Sequence, residues 1–249
     1  MSDGDDKKID ATLADVCIVA CAEAFRGDGE ILASGIGLIP SLGAKLARAT
    51  FAPDLLLTDG VARLLDRDGN IEGWLPYRSV FDVVWSGRRH VLMGASQLDR
   101  HGNQNIAAIG SDWRKPKAML LGPRGAPGNT VNHPTSYFVP QHSTKVFVER
   151  VDWVSGIGTD RARALGTAGR FHELRRVVSN LGVFDFGGSD GTLRVLSLHP
   201  GVSRDDVSAR TGFPLAFADD VATTRAPTAE ELALIRGFDP DGRAQKELS

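Results

Sequence analysis

The sequence predicts an α/β domain with an open, largely parallel β-sheet and helices on both of its faces. A strand-like run at 30–34 leads through a glycine turn into a helical segment at 41–48 and a second strand-like run at 54–58. Such a β–loop–α–β unit with short connections is typical of parallel sheets. Further strand-like runs follow at 90–93, 145–148, 176–179 and 192–197.

The composition is that of one globular domain. The chain has 249 residues, of which 42% are apolar and 24% are charged, a balance that can bury a sizeable core. No repeat or linker divides the chain. We therefore expect a single domain over 10–242, between a polar N-terminal tail at 1–9 and a C-terminal tail at 243–249.

The charge balance excludes several classes of partner. With 29 basic and 31 acidic residues the net charge is −2, so no basic field exists to hold nucleic acid or an anionic membrane surface. No apolar run approaches the roughly 20 residues that span a bilayer, and the polar residues 1–8 are unlike a signal peptide. We expect a cytoplasmic protein that binds neither nucleic acid nor membranes.

Residues 10–26 predict a helix with one apolar stripe that includes Cys17 and Cys21. The two cysteines lie one turn apart, the spacing is not Cys-x-x-Cys, and the sequence places no third ligand nearby. Two buried core thiols fit this pattern better than a redox or metal pair. We predict no metal site.

The remaining elements are marked by local signals. The run at 181–186 follows a Ser179–Asn180 turn and predicts the partner strand of a hairpin. Capping patterns at Ser203 and Thr228 predict two helix starts. The stretch 96–144 is rich in Asn, Gln, Gly, Pro and His but poor in charge, and is predicted to form loops that line a site.

The glycine turn between the first strand and its helix has three interpretations. Gly35-x-Gly37, with Asp59 at the end of the next strand, is compatible with a dinucleotide site, although Pro40 stands where that motif has its third glycine. A turn that needs glycine for its backbone angles is the second interpretation. The third is a helix N-terminus that binds an anion or a carbonyl group.

Several different short motifs follow one another along the chain in a characteristic order. They are Gly35–Pro40, Phe51–Asp54, Gly94–Asp99 with Gly102–Asn103, Gly122–Gly128, Val154–Gly156, His199–Pro200, Thr211–Phe213, and Leu234–Arg236 with Asp239–Pro240. In this order and spacing the chain resembles the β subunit of class I coenzyme A transferases, most closely glutaconate CoA-transferase. The resemblance implies an open α/β fold and a homologous α subunit, usually in an α2β2 heterotetramer.

The chain departs from those transferases at their nucleophile. They carry a glutamate two residues before a glycine at the end of the second strand, and the matching position here is Thr58, before Asp59 and Gly60. CoA transfer requires a carboxylate that forms an acyl anhydride and then an enzyme–CoA thioester. A threonine hydroxyl cannot do this, and Asp59 is one residue out of register.

A second resemblance shares this loss. Leu56–Gly60, Gly87–Val91, Gly102–Asn105, Pro127–Thr130 and above all Arg176–Gly188 are similar to the β subunit of the actinobacterial steroid ring-cleaving hydrolases, which act in cholesterol catabolism. The resemblance implies opening of the last carbon ring of a CoA thioester by water attack on a ring ketone. Coenzyme A then enters as part of the substrate, and no cofactor is tightly bound.

The family alignment places the acyl-oxyanion loop at Arg124 and the backbone N–H groups of Gly125 and Ala126. Such a reaction needs a base, donors to an oxyanion, and a thioester that takes up the leaving carbanion. Predicted catalytic residues are Thr58, Asp59, Arg124, Gly125, Asn132 and His133. Predicted substrate- or CoA-binding residues are Gly35, Gly37, Asn103, Asn105, Ala126 and Asn129.

Several of these residues have a plain structural alternative. His133 is either a general base or a loop histidine with one structural hydrogen bond, and Asn103 and Asn105 are as compatible with capping turns as with touching substrate. Arg88 and Arg89 either meet CoA phosphates or form a solvated helix end. The essential carboxylate is then expected from the α subunit.

Three functions remain open at this point. The first is the hydrolase β subunit, the second a true CoA-transferase β subunit with a relocated nucleophile, and the third a structural subunit that only completes its partner. Trapping of an enzyme-bound CoA thioester separates the first two.

Overall fold

The computed structural model describes residues 10–58, 63–66, 68–74, 79 and 88–248, and it is built on a ten-stranded sheet. The strand order is β14-β13-β12-β11-β10-β5-β1-β2-β3-β4. The strands are β1 Leu32–Gly35, β2 Leu56–Thr58, β3 Arg63–Leu65, β4 Ile71–Trp74, β5 Arg89–Gly94, β6 Gln97–Leu98, β7 Gln104–Asn105, β8 Ala108–Ile109, β9 Ala118–Met119, β10 Pro134–Val139, β11 Glu173–Ser179, β12 Gly182–Asp185, β13 Arg194–Leu198 and β14 Ala216–Thr223. Strands β6 with β7 and β8 with β9 form separate two-stranded sheets.

Helices precede, connect and follow these strands along the chain. They are α1 Leu13–Glu23, α2 Leu38–Thr50, α3 Ala126–Asn132, α4 Thr159–Ala164, α5 Arg204–Ala209, α6 Ala229–Phe238 and α7 Arg243–Glu247. The predicted capping boxes at Ser203 and Thr228 are confirmed, and Thr12 forms a third at the start of α1. Residues 243–247, predicted as part of a tail, form α7, whose Ala244 is buried in the core.

The centre of the sheet is parallel, as predicted. Strands β2, β1, β5, β10 and β11 run in one direction, and β12 pairs antiparallel with β11 as the predicted hairpin. Strands β3 and β4 continue the sheet in antiparallel fashion beyond β2. The predicted α/β class with an open, largely parallel sheet is confirmed.

Apolar side chains cover both faces of the sheet. On β5, Leu92 points into a core beneath α1 and α2, while Val91 and Met93 point into a second core on the opposite face, which includes Ala126 at the start of α3. These two sides are called the α1–α2 face and the α3 face below. The alternation follows from the period of two along a strand.

Cys17 and Cys21 are buried free thiols on α1, as predicted. Burial raises the pKa of Cys17 to about 12 and that of Cys21 well above its usual value. Thiols held in the protonated form are weak nucleophiles. Both cysteines therefore act as small apolar groups in the core.

One strand prediction was wrong, and several strands were missed. Residues 144–146 form a turn, in which the N–H groups of Val146 and Phe147 both donate to the carbonyl of Ser143, and Phe147 makes only an isolated β-bridge to Leu98. Strand β10, by contrast, lies at the centre of the sheet within the stretch predicted as loops, and β14 was also missed. Within the described residues, no helix is long and apolar enough to cross a membrane.

Candidate active site at the carboxyl ends of the central strands

The topology creates a crevice between β1 and β5. The chain leaves β1 through α2 on the α1–α2 face, and it leaves β5 through residues 95–133 and α3 on the α3 face. In open α/β sheets, ligands bind outside the carboxyl ends of strands where neighbouring connections diverge in this way. The crevice beyond Gly35 and Gly94 is therefore the candidate site.

The glycine turn at the end of β1 is required by close packing. A Cβ atom on Gly35 would lie 2.5 Å from the carbonyl oxygen of Pro40, and Gly37 has a positive φ of 108° where α2 begins. Both positions favour glycine for reasons of geometry. Burial raises the pKa of Glu247, and the nearby backbone of Ile39 in the first turn of α2 opposes this rise.

Thr58 ends β2 on the α3 face. Ala33 pairs with Leu57 in the parallel register, so Ser34 is the residue next to Thr58 on the neighbouring strand, and both side chains point to the α3 face. The side chain of Thr58 is half-buried. Asp59, the other predicted catalytic residue here, lies outside the described residues.

Arg89, on the neighbouring strand β5, links Ser34 to α3. Its Nε donates to Ser34 Oγ at 2.9 Å, and its Nη1 donates to Asn129 Oδ1 at 3.2 Å. The interpretation of Arg89 as part of a solvated helix end was wrong, because Arg89 is the first residue of β5 and is partly buried. Arg88, just before the strand, is exposed.

The predicted oxyanion loop forms the start of α3. Gly125 is the residue before the helix, and the N–H of Ala126 donates to the carbonyl of Pro123 at 2.9 Å. The Ala126 N–H is therefore already used in a turn. Arg124 is exposed and has a left-handed backbone with φ of 47°, a conformation that costs a non-glycine residue of the order of 1 kcal/mol.

Asn132 and His133 lie at the other end of α3. Asn132 is exposed, and its Nδ2 donates to the Gly128 carbonyl at 3.0 Å. His133 is buried, and its Nε2 has no hydrogen-bond partner among the described residues. Burial, and next the positive charge of Arg89, lower its pKa, so the ring is neutral at pH 7 and Nε2 is a competent proton acceptor in one tautomer.

The structure does not bring Thr58 and His133 into contact. His133 precedes β10, which is separated from β2 by β5 and β1. Three strand spacings correspond to roughly 14 Å. A base at His133 and a contact at Thr58 would serve different ends of a substrate.

Asn103 and Asn105 have structural roles. Asn103 Nδ2 donates to Asp99 and Asp160, and its Oδ1 accepts from the Gly158 N–H. Asn105 Nδ2 donates to Gln97 and to a backbone carbonyl, and its Oδ1 accepts from the Ala107 N–H. Both amides are buried and saturated, which favours the turn-capping alternative.

Sequence reasoning missed two polar residues at the site. Ser34 stands at the end of an otherwise apolar strand, and this break in the pattern was the signal that could have found it. Gln104 is buried, donates to the Gly94 carbonyl, and keeps an Oε1 without a partner among the described residues. Over all the residues that the structure describes, no group of three or more His, Cys, Asp or Glu side chains could hold a metal ion.

No profile of a known protein family matches the chain. The chain is 53% identical to the cholesterol ring-cleaving hydrolase IpdB subunit of Rhodococcus jostii (strain RHA1), over 96% of this chain and 97% of the relative. It is 31% identical to a subunit of the 3-oxoadipate CoA-transferase of Pseudomonas knackmussii, over 89% of this chain and 90% of the relative.

Solved structures agree with these relatives. The crystal structure of Rhodococcus jostii RHA1 IpdAB matches with a TM-score of 0.91 and 53% identity, over 96% of this chain and 99% of that chain. The decarboxylase AibA/AibB matches with a TM-score of 0.80 and 27% identity, over 96% and 99%. Glutaconate CoA-transferase from Acidaminococcus fermentans, at 23% identity over 96% and 98%, shares the fold with a TM-score of 0.77. The chain belongs to the IpdB subunit family of the cholesterol ring-cleaving hydrolases.

Proposed function

We propose that this chain is the β subunit of a hydrolase that opens the last carbon ring of a steroid degradation intermediate carried as a CoA thioester. The observation that carries the proposal is 53% identity, over nearly the whole of both chains, to a subunit named for cholesterol ring cleavage. Thr58 supports it, because a hydroxyl at this position cannot form the acyl anhydride that CoA transfer requires.

The proposed reaction is hydrolytic. The oxygen of water bonds to a ring ketone carbon and a base takes its proton. The bond from that carbon to the carbon next to the thioester then breaks, and its electron pair delocalises into the thioester before a proton is added. The product is an acyl-CoA with a new carboxylate. Coenzyme A enters with the substrate, so no tightly bound cofactor is needed.

The residues of this chain contribute donors in the proposal. Arg124 and the Gly125 N–H at the start of α3, with Asn129 and Asn132, are proposed to hold oxyanion and thioester oxygens. His133 is the proposed proton acceptor of this subunit, supported by its buried Nε2 and lowered pKa. The catalytic carboxylate is proposed to come from the α subunit, in an α2β2 assembly.

The relatives support a two-subunit enzyme, since the solved structures include IpdAB and AibA/AibB. We propose the cytoplasm as the site of action, because two reduced buried thiols and a CoA-bound substrate suit that compartment.

For the test, the chain is co-expressed with its α subunit, and the complex is incubated with 2-oxocyclohexane-1-carbonyl-CoA, a cyclic β-keto thioester. The expected product is heptanedioyl-CoA, heavier than the substrate by one water, with 18O from labelled water in the new carboxylate. An enzyme-bound thioester trapped by hydroxylamine, with CoA exchange in place of ring opening, would identify a transferase instead. If substitutions throughout the β-subunit site left the rate of ring opening unchanged, the chain would be a structural subunit.

A further inference from the structure

Arg89 is a partly buried cation without a counter-charge among the described residues. Its two hydrogen bonds there go to neutral oxygens, Ser34 Oγ and Asn129 Oδ1. A guanidinium has five N–H donors, so three of them are not used by these contacts. Burial lowers its pKa, and no carboxylate in the described part of the chain opposes that effect. A desolvated cation in this state calls for an anion.

His133 stands beside Arg89. Thr135 pairs with Val91 in the parallel register of β10 and β5. His133 and Arg89 each lie two residues before this pair, so they are neighbours and both point to the α3 face. Burial, and next the charge of Arg89, lowers the pKa of His133. His133 also has the buried Nε2 that finds no partner within the described chain. Two adjacent basic groups thus share one surface.

Within the part of the chain that the structure describes, the surface on β2 next to Arg89 is open. Leu32 pairs with Arg89 on one side and with Leu56 on the other, so Leu56 lies level with Arg89 in the sheet. Its side chain points to the α3 face, as that of Arg89 does. The Leu56 side chain is 49% exposed although β2 is an interior strand. Thr58 lies on the same face one pair further along. A ligand over β1 and β2 therefore reaches Arg89 from the side of the candidate site.

We propose that Arg89, positioned by Ser34 and Asn129, binds the carboxylate that ring opening creates. The inference rests on the proposed function. Water attack turns the neutral ketone oxygen into an oxyanion. Cleavage of the carbon–carbon bond moves that charge to the thioester and leaves a carboxylic acid, which then loses its proton to become a carboxylate. Both the intermediate and the final product therefore carry negative charge at this end of the substrate. A fixed guanidinium that already holds two neutral partners meets this charge with little reorganisation.

The test measures binding to the assembled α/β complex with two probes that differ only in the carboxylate, heptanedioyl-CoA and heptanoyl-CoA. In the parent complex heptanedioyl-CoA binds tighter, by about ten- to a hundredfold. Arg89→Gln removes this preference and slows ring opening, and Arg89→Lys retains part of both. Arg88→Gln, on the exposed neighbour, leaves the ratio of the two affinities unchanged. Melting curves and sedimentation establish that each variant is folded and assembled.

Two results would overturn the assignment. The first is an unchanged affinity ratio in folded, assembled Arg89→Gln. The second is an unchanged ratio with weakened subunit assembly, which would make an acidic side chain of the α subunit the partner of Arg89. Failure of the proposed function is distinct, because the parent complex would then leave the cyclic keto thioester intact. An Arg89-dependent preference for heptanedioyl-CoA would in that case still establish a carboxylate site.

Discussion

Asp28 Oδ2 lies 2.7 Å from His90 Nδ1, and on the other side of the ring His90 Nε2 lies 2.9 Å from Ser136 Oγ. This acid–histidine–serine chain has the order of a nucleophilic triad. All three side chains are buried, however, and the strand position of His90 puts it on the α1–α2 face, away from the candidate site. Asp28 also forms an ion pair with Arg175. The network ties the end of α1 to the centre of the sheet and is structural.

Loss of the Asp28 charge should therefore lower stability without affecting chemistry. Asp28→Asn keeps the size of the side chain but removes the charge that both His90 and Arg175 face, at a cost of about 2–3 kcal/mol. Urea unfolding of the isolated chain measures this cost. Glu173→Gln is the matched control, because Glu173 pairs with the same Arg175 at an exposed position and should cost less than about 1 kcal/mol. Equal effects of both substitutions would contradict a structural role for the buried pair.

Stability should also fall in mild acid. Burial lowers the pKa of His142 to about 3 and that of His199 to about 4. An unfolded histidine titrates near 6.5, so below that pH the unfolded chain takes up protons that the folded chain does not. Stability is then complete above about pH 6.5 and decreases towards pH 4, by up to about 1.4 kcal/mol per pH unit for each histidine.

Urea midpoints between pH 8 and pH 4.5 measure this dependence. His142→Gln should lower the midpoint at pH 7, because Ser179 and Thr211 each lose a ring nitrogen as partner. The same substitution should reduce the decline with acid, since one of the histidines with a lowered pKa is gone. A decline as steep as that of the parent chain would show that His142 does not stay neutral in the folded state.

The sequence predicted those elements whose signals are local. The hairpin after Ser179 and the capping boxes were correct because turn and cap chemistry involve residues close in sequence. Strand β10 was missed because Thr135 and Ser136 are polar yet buried. Their hydroxyls bond the carbonyl of His133 and the ring of His90, a partner 46 residues away. Partners at such distances are not visible in a sequence pattern.

The opposite error occurred at 145–148. Phe147 is fully buried because its ring stacks on His142 at 3.6 Å, and an apolar residue that serves such a contact looks like a strand residue in the sequence. At the site, the glycine turn and Thr58 follow from motifs. The role of Arg89 depended on the register of β1 and β5, which brings its guanidinium to Ser34.

An exposed apolar surface should mediate assembly with the α subunit. Met119 and Leu121, on and just after β9, are 61% and 79% exposed, and Trp113 in the same loop is half-exposed. Large exposed apolar side chains that lie within nine residues of the chain are typical of subunit interfaces. Met119→Asp should weaken the complex by about tenfold or more, and Met119→Leu should not. Sedimentation of the two subunits measures this, and complexes of equal strength with both variants would exclude this surface.

Thr58 should contribute one hydrogen bond to ring opening. It ends β2 next to Ser34 on the face that carries Arg89, where a transferase would carry its nucleophilic carboxylate. Thr58→Val keeps the branched shape and removes the hydroxyl, so kcat/KM should fall by a factor that corresponds to about 1–2 kcal/mol. Thr58→Ser keeps the hydroxyl and should retain most of the activity.

Thr58→Glu should do more damage than Thr58→Val, for a chemical reason. A carboxylate beside the thioester can attack the acyl group, form the anhydride and then carry CoA as an enzyme thioester. Hydrolysis of the ring should slow, and borohydride or hydroxylamine should trap an adduct at residue 58 that mass spectrometry locates. Thr58→Gln is the matched control, because it has nearly the same size and cannot form the anhydride. Ring opening at the parent rate by Thr58→Glu would mean that residue 58 is not near the reacting thioester.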